Sequence, residues 1–504
     1  MLVTIKKQYM GLISLCLMVA VINIDFTAVN LALPKIVNQF CVPISKGQFM
    51  FSLYLFAASA FFMLGGKLVD TYQEKVIYLL GIILFLFASL VIILSQNFNF
   101  ICIFRVLQGI GYAFIFPTSM LIADRLLPGE GKFSGISLII LISMLSQALG
   151  PSLGGILVDL GGWKSIFYIN IGISILSGAL FLTFQQSQAS SKAEFIDLKG
   201  IGLFYSLFIG IPALLIVGGK SYFIYLPILI GGLLISYQLY QHSQQTVNPF
   251  IELKLFKNPS FLNSCLLRMG FNICWAFIVA YPPLYLQNVL GYSASMTGFI
   301  IIIFTIISAA ATGVAEFVIS YLGKFKALFL SFSILFGMHL ISLLFMIKLS
   351  ITYIVCLLAI YGIACGLLLP ILTKITIEAL DEKTKGQGLG VFYTMSLISM
   401  GAGTYLLSIV LETVAKLFIE SNTSSLQLTY YKSIILGSTS LYDLQGQIDQ
   451  QAFSKIQEIL VHSHNTTWTL VSCLSLGLLG SALIICWSME RHMQKKEVIP
   501  LENY

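Results

Sequence analysis

The sequence predicts an all-α polytopic membrane protein. Hydrophobic residues make up 58% of its 504 positions and charged residues only 10%, whereas a soluble domain carries about 25% charged residues. The mean hydropathy is +0.92. Apolar runs of about 20 residues, the length that crosses a bilayer core of ~30 Å, recur along the whole chain. Function must therefore be sought in the residues that interrupt these runs.

Fourteen apolar runs are long enough to be transmembrane helices. They lie at roughly 9–33, 48–68, 76–95, 99–123, 133–158, 165–184, 199–218, 222–241, 261–288, 296–320, 326–347, 352–374, 386–411 and 467–489. The first run is too long for a cleaved signal peptide, and we interpret it as a helix that is retained. An even number of spans places both termini on one side of the membrane.

The distribution of positive charge sets the orientation. Most of the 28 Lys and Arg residues lie in loops, and the loops on the side of the N-terminus hold more than twice as many as the opposite loops. Because basic loops stay in the cytoplasm, we expect both termini to be cytoplasmic. The net charge of +7 thus describes topology, and we expect no nucleic-acid partner.

Two polar segments are longer than ordinary loops. Residues 185–198 form a linker after the sixth run, and residues 412–466 form an insertion before the last one. Within the insertion, residues 444–460 carry apolar side chains near helical spacing, which predicts an amphipathic helix. We expect a structured hairpin or cap on the outer side.

Charged residues inside two runs are candidates for proton coupling or substrate contact. Asp25 lies with Asn30 in the first run, and Arg105 lies with Gln108 in the fourth. A charge in the bilayer interior is costly unless it is paired or hydrated. At ~1.5 Å of rise per residue, Asp25 and Arg105 lie at similar depths, which allows an ion pair. The alternative is that both face a water-filled cavity.

Glycines and aromatic residues point to helix packing and to a cavity. Gly66 lies at the end of the second run, and Asp70 lies just after it. The fifth run carries small and kinked positions, which are Gly150, Pro151, Gly154 and Gly155. We expect this surface to pack against a helix of the other half of the protein. On the ninth run, Phe271, Trp275 and Arg268 form a possible cavity lining; lipid-facing or packing aromatics, and an arginine that reaches the inner surface, are the alternative.

The order of these motifs resembles the major facilitator superfamily, specifically its fourteen-helix drug:proton antiporter subfamily (EmrB/QacA-like). The resembling positions are Asp25, Thr27, Asn30 and Pro34 in helix 1, Gly66, Leu68 and Asp70 after helix 2, Arg105, Gln108, Gly109 and Gly111 in helix 4, Gly150, Pro151, Gly154 and Gly155 in helix 5, and Trp163, Phe167 and Asn170 just beyond. The resemblance assigns gating and helix packing to Gly66, Asp70 and the helix 5 positions.

The resemblance implies a major facilitator fold of two six-helix bundles plus two extra transmembrane helices. Residues 1–185 then form the N-terminal bundle, residues 186–260 the linker and extra pair, and residues 261–504 the C-terminal bundle with the insertion at 412–466. We expect the extra pair to pack outside the bundles and away from a central cavity. The implied location is the plasma membrane, in a bacterium the inner membrane.

The resemblance further implies a secondary active transporter that exports small, mostly apolar or amphipathic molecules against proton influx. We expect no enzyme activity, no cofactor beyond the proton gradient and no metal; a phosphate-binding GxxxxGK[ST] motif is absent. Export of a polar metabolite such as a siderophore or amino acid is the alternative, and a transport-inactive receptor or membrane enzyme is a third interpretation. A small-molecule substrate and the lipid bilayer are the expected partners, and a periplasmic adaptor with an outer-membrane channel is possible but not demanded.

Overall fold

The computed structural model is built of α-helices. It describes residues 2–71, 73–127, 135–183, 197–217, 222–246, 249–345, 350–381, 384–421 and 450–498. The helices are α1 (Leu2–Gln39), α2 (Ile44–Thr71), α3 (Glu74–Leu94), α4 (Phe98–Leu126), α5 (Gly135–Gly161), α6 (Lys164–Thr183), α7 (Leu198–Val217), α8 (Tyr222–Gln245), α9 (Pro259–Asn288), α10 (Ala294–Leu322), α11 (Lys324–Leu344), α12 (Ile351–Glu378), α13 (Lys385–Ser421) and α14 (Gln450–Val498).

Twelve of these helices, in the described part of the chain, are long and apolar enough to cross a membrane. They are α1–α6 and α9–α14, which fits the predicted all-helical class. Helices α7 and α8 occupy the positions expected for the extra pair, and part of their side chains lies outside the described residues. Within the described ranges, the helices follow one another in the order of the predicted apolar runs.

Short polar side chains begin several helices. Asn258 accepts hydrogen bonds from the backbone N–H groups of Ser260 and Phe261 at the start of α9. Ser293 accepts one from Met296 N–H at the start of α10. These side chains satisfy N–H groups that have no partner inside the helix. They fix where the apolar runs turn back into the membrane.

Two helix boundaries differ from the sequence prediction. The first predicted run ends at position 33, whereas α1 continues through Pro34 to Gln39. A proline removes one backbone donor and bends a helix without necessarily ending it. The predicted amphipathic segment and the last span form one continuous helix from Gln450 onward, and residues 422–449 of the predicted insertion lie outside the described residues.

The six helices α1–α6 pack against one another, and so do α9–α14. The two groups meet along two seams, one between α2 and α13 and the other between α5 and α10. Hydroxyl and aromatic contacts run along the first seam: the Ser52 and Thr404 hydroxyls lie 2.8 Å apart. The Phe62 and Tyr393 rings lie 5.8 Å apart farther along it. A central cavity lies between the groups.

Helices α7 and α8 form a hairpin outside this arrangement. Asp197, at the start of α7, accepts hydrogen bonds from the backbone N–H groups of Gly200 and Phe250, at 2.8 and 2.9 Å. His242 near the end of α8 lies 2.7 Å from the same carboxylate. Asp197 therefore ties both ends of the hairpin to the segment that leads into α9.

This attachment predicts an acid-sensitive contribution to stability. Burial alone would raise the pKa of Asp197, but the hydrogen bonds from Gly200, His242 and Phe250 outweigh it and lower the pKa. A depressed carboxyl pKa stabilises the fold above the unfolded value of about 4 and is lost as pH falls through the folded value. We expect Asp197→Asn to cost ~1 kcal/mol at neutral pH and to flatten the loss below pH ~4. Thermal unfolding in detergent measures this, and Lys199→Ala, an exposed neighbour, is the control.

Candidate functional site

A buried ion pair joins α1 and α4. Arg105 Nη1 donates to Asp25 Oδ2 at 2.7 Å, and both side chains are fully buried. The pairing that the similar depths predicted is therefore present. The alternative, in which both groups face a water-filled cavity, does not describe this conformation.

Neutral amides also bind the two members of the pair. Asn170 of α6 donates to Asp25 Oδ1 at 2.7 Å. Gln108 accepts from Arg105 Nη1 at 2.8 Å and donates through Nε2 to the Ser89 hydroxyl at 2.8 Å. Gln108 thus lies in the cluster, as predicted. Sequence reasoning named Asn170 only as part of a motif and missed Ser89; their polarity inside apolar runs was the available signal.

An aromatic ring separates this cluster from the cavity. The guanidinium carbon of Arg105 lies 4.4 Å from the centre of the Tyr54 ring. Such a cation–π contact stabilises a desolvated arginine. Arg105 Nε and Nη2 have no hydrogen-bond partner among the described residues. Because Tyr54 also lines the cavity, a molecule bound there would touch the ring that covers Arg105.

The central cavity has a volume of about 640 Å³, the size range of drug-binding pockets. Its wall is mainly aromatic and aliphatic and draws on both helix groups. The residues from α1, α2 and α4 are Asn23, Phe26, Tyr54, Leu55, Ala58, Phe62, Tyr112 and Phe116. None of the described lining residues belongs to α7 or α8, in agreement with a peripheral hairpin.

Polar side chains interrupt the apolar wall at several places. Gln147 donates to Asn23 at 2.9 Å on one side of the cavity. Arg268 and Trp275 line the other side, as the sequence predicted for helix α9. Phe271, the third predicted lining residue, is fully buried and stacks on Trp275 at 6.2 Å without lining the cavity. It lies one helical turn from Trp275 and packs against that ring.

The cavity reaches the membrane side that carries the N-terminus. Its lining ends at Glu316 of α10 and at Lys374 and Glu378 near the end of α12. Lys374 Nζ lies 3.0 Å from Glu316 Oε2, and their side chains are 40% and 71% exposed. Solvent therefore reaches this end, and the ion pair lies at the mouth.

The opposite side is closed by contacts between α5 and α10. Asp159 accepts hydrogen bonds from Ser295 N–H and the Ser295 hydroxyl, at 2.8 and 2.6 Å. Lys35 of α1 lies 3.2 Å from the same carboxylate. Sequence reasoning did not single out Asp159, which lies at the end of an apolar run. We call this group of contacts, made by Lys35, Asp159 and Ser295, the distal lock.

The predicted role of the α5 glycines holds for part of the surface. A Cβ atom at Gly155 would collide with the carbonyl of Ala294 in α10, and Pro151 contacts α10 at Gly298. Gly150 and Gly154 instead face Thr27 and Ala28 of α1, within the same helix group. The expectation that all these glycines face the other group is therefore wrong, because successive glycines on a helix point to different sides.

Three predicted positions lie apart from the ion pair. Gly66 has open space where a Cβ would stand, so close packing there is wrong; its neighbour Gly65 meets the Ala113 carbonyl of α4. The side chain of Asp70 lies outside the described residues. Asn30 is buried, but its amide has no hydrogen-bond partner among the described residues and does not join the Asp25 cluster.

Comparison with known sequence families shows to which family the chain belongs. A sequence model of the Major Facilitator Superfamily matches residues 15–404, from α1 into α13. The chain belongs to the major facilitator superfamily. It is a multi-pass membrane transporter, and its fold and family indicate transport rather than enzyme chemistry.

Its relatives include proteins named for drug transport. MdtP, a multidrug transporter protein of Bacillus subtilis, is 27% identical over 386 residues, covering 74% of this chain and 69% of that protein. YvkA, an uncharacterised transporter of this superfamily from Bacillus subtilis, is 27% identical over 425 residues, covering 81% of this chain and 94% of that protein. These relatives are consistent with the drug:proton antiporter subfamily.

Solved structures show the same fold. A bacterial homologue of the human lysosomal transporter Spinster, in an inward-facing and unoccupied conformation, matches with a TM-score of 0.63 and 14% sequence identity. The match covers 96% of this chain and 98% of that one. It establishes the fold of this superfamily member.

The distal lock gives a prediction for Gly155. Gly155→Ala places a methyl group against the Ala294 carbonyl, so α5 and α10 must separate. We expect the variant to favour the conformation that is open on the distal side and to slow transport. Spin labels at position 39, at the distal end of α1, and at position 292, in the distal loop between α9 and α10, should report a longer distance. Gly172→Ala, where a Cβ meets open space, is the control; an unchanged distance in Gly155→Ala would contradict the close-packed role.

Proposed function

We propose that this transporter exports small, mostly apolar or amphipathic molecules in exchange for protons. The observation that carries the proposal is the buried Asp25–Arg105 pair, which one tyrosine ring separates from the cavity. A carboxylate at this depth is stable while its counter-charge is in place. If the pair opens, the carboxylate loses its counter-charge. Protonation of the carboxyl group then removes the unpaired negative charge.

Exchange follows from the two states of this pair. With the distal lock closed, Asp25 is ionised, paired with Arg105 and shielded from the cavity. Opening of the distal side would loosen α1 against α4 and α6 and admit water to Asp25, which then takes up a proton. Return to the observed conformation restores the pair and expels the proton toward the side of the N-terminus. Proton influx then drives the cycle.

Tyr54 is the proposed connection between substrate and proton. A molecule in the cavity contacts the Tyr54 ring and holds it against Arg105, so substrate binding favours the closed pair and competes with the proton. The aromatic and aliphatic wall suits amphipathic molecules, which gain from transfer of apolar surface out of water. Transport of this kind is multidrug efflux.

The proposal includes a location and an energy source. We place the protein in the plasma membrane, for a bacterium the inner membrane, with both termini cytoplasmic, since basic residues are enriched in the loops on that side. The proton gradient supplies the energy, and no cofactor is needed. A periplasmic adaptor and an outer-membrane channel are partners that the proposal permits but does not require.

Dye transport in proteoliposomes tests this function. Vesicles with an acidic interior should accumulate fluorescein, tetramethylrhodamine methyl ester or the neutral dye Nile red through the fraction of transporters oriented inside-out. Collapse of the pH gradient by nigericin should abolish accumulation. Uptake that persists without a gradient, or that is absent for all three dyes, would contradict proton-coupled export of such molecules.

A further inference from the structure

The cavity contains an arginine that forms no salt bridge with any described residue. Arg268 of α9 lines the cavity and is half-buried. Its Nε donates to the Ser396 hydroxyl at 3.0 Å, and its guanidinium carbon lies 5.7 Å from the centre of the Phe392 ring. Within the described residues, no carboxylate forms a salt bridge with it. The guanidinium thus contacts a hydroxyl group and an aromatic ring, both of which are neutral.

The two carboxylates of the cavity wall are paired elsewhere. Glu316 binds Lys374, and Glu378 binds Lys324, both near the mouth. Asp25, a carboxylate in the membrane interior, is fully buried with Arg105 and does not line the cavity. The described wall therefore offers one uncompensated positive charge, and this favours an anionic over a cationic occupant.

Further groups on α9 extend the site. Trp275 lies two turns along the helix from Arg268 and lines the same cavity. Across the cavity, Tyr112 and Phe116 stack in parallel planes at 5.6 Å, 8° apart. Flat rings of this kind favour a flat ligand.

We propose that the cavity binds planar aromatic molecules that carry an anionic group. The anionic group binds the guanidinium of Arg268, and the ring system lies against Trp275 and the aromatic wall of α2 and α4. A guanidinium forks onto a carboxylate through two parallel hydrogen bonds, and this gives orientation as well as affinity. The assignment of this ligand as a transported substrate rests on the proposed function; its binding does not.

Two dyes with the same fused ring system test the charge preference. Fluorescein is anionic at neutral pH and tetramethylrhodamine methyl ester is cationic. With the purified full-length protein in detergent, fluorescence polarisation should show tighter binding of fluorescein. Arg268→Gln should weaken fluorescein binding by about ten- to a hundredfold, the usual effect of losing a hydrogen-bonded charge partner. It should leave the cationic dye unchanged or tighter.

Matched variants separate the charge from the fold. Arg268→Lys keeps the charge and should retain part of the preference for fluorescein. Arg125→Gln makes the same substitution at the surface pair between Arg125 and Glu74, away from the cavity, and should leave both dyes unaffected. Thermal unfolding of each variant confirms that the folded protein is being compared.

The outcomes are separable from those of the transport experiment. Wild-type protein that binds fluorescein no more tightly than the cationic dye would overturn the inference, and so would an Arg268→Gln variant whose fluorescein affinity is unchanged. These binding measurements use no proton gradient. Intact fluorescein binding without gradient-driven uptake would therefore contradict the proposed function and leave this inference standing.

Discussion

Asp25→Asn should abolish dye accumulation driven by a proton gradient while dye still binds and exchanges across the membrane. The amide oxygen can still accept a hydrogen bond from Arg105 or from Asn170, the two present donors to this side chain. The amide cannot gain or lose a proton in the working pH range, so the step that couples transport to the gradient is removed. Uphill accumulation and downhill dye exchange in the same proteoliposomes measure the two properties separately.

Asp381→Asn is the matched control. Asp381 is exposed in the turn after α12, so the same loss of a carboxylate there should leave accumulation and its pH dependence unchanged. Accumulation by Asp25→Asn with the wild-type pH dependence would show that the coupling carboxylate lies elsewhere. Loss of dye exchange together with accumulation would instead indicate that Asp25 is needed for substrate passage.

Arg105→Gln should be the most destabilising single change in the cluster. It leaves the Asp25 carboxylate fully buried without its counter-charge, which typically costs 3–5 kcal/mol at about neutral pH. Lower pH should restore part of the stability of this variant, since protonation neutralises the buried carboxyl group. Thermal unfolding in detergent at several pH values gives the measurement.

The double variant Asp25→Asn/Arg105→Gln tests the physical reason. Because it removes both charges, it should be more stable than Arg105→Gln alone, with an interaction energy well above the few tenths of a kcal/mol that separated sites show. Arg125→Gln, which breaks a partly exposed pair with Glu74, should cost no more than about 1 kcal/mol. Additive effects in the double variant would mean that the pair does not stabilise the fold.

The ion pair was within reach of sequence reasoning because depth in a membrane follows from counting. Helical rise placed Asp25 and Arg105 at similar distances from one surface, and the cost of unpaired charge in a membrane made a contact favourable. The counting succeeded although α1 continues beyond Pro34 to Gln39. An error in one helix end does change the counted depth, since Asp25 lies about 7 Å deeper when counted from Gln39 than when counted from Pro34. The cost of leaving either charge unpaired, and not the count alone, therefore favoured the contact.

The orientation of side chains around each helix was harder to predict. A soluble helix reveals its buried side by a polar stripe on the other, whereas a membrane helix is apolar on all sides. Sequence spacing therefore grouped Phe271 with Trp275, although only Trp275 lines the cavity. For the same reason Gly150 and Gly154 were assigned to the contact between groups, whereas they pack on α1.

Contacts between distant segments left still weaker signals. Asp159 in the distal lock and Tyr54 beside Arg105 are single residues in apolar surroundings, and their roles depend on helices far apart in the chain. A hydrophobic pattern fixes span positions but not which spans become neighbours. The resemblance to a family supplied the arrangement of the bundles, and the coordinates supplied the partners.

Proton release on substrate binding tests the central claim most directly. In weakly buffered detergent solution with a pH indicator, dye is added to wild-type protein at a series of starting pH values, and protons should be released in proportion to the dye bound at the lower of these pH values. Asp25→Asn should bind the same dye and release none. Equal proton release by the wild type and by Asp25→Asn would contradict the account in which substrate and proton compete through the Asp25–Arg105 pair.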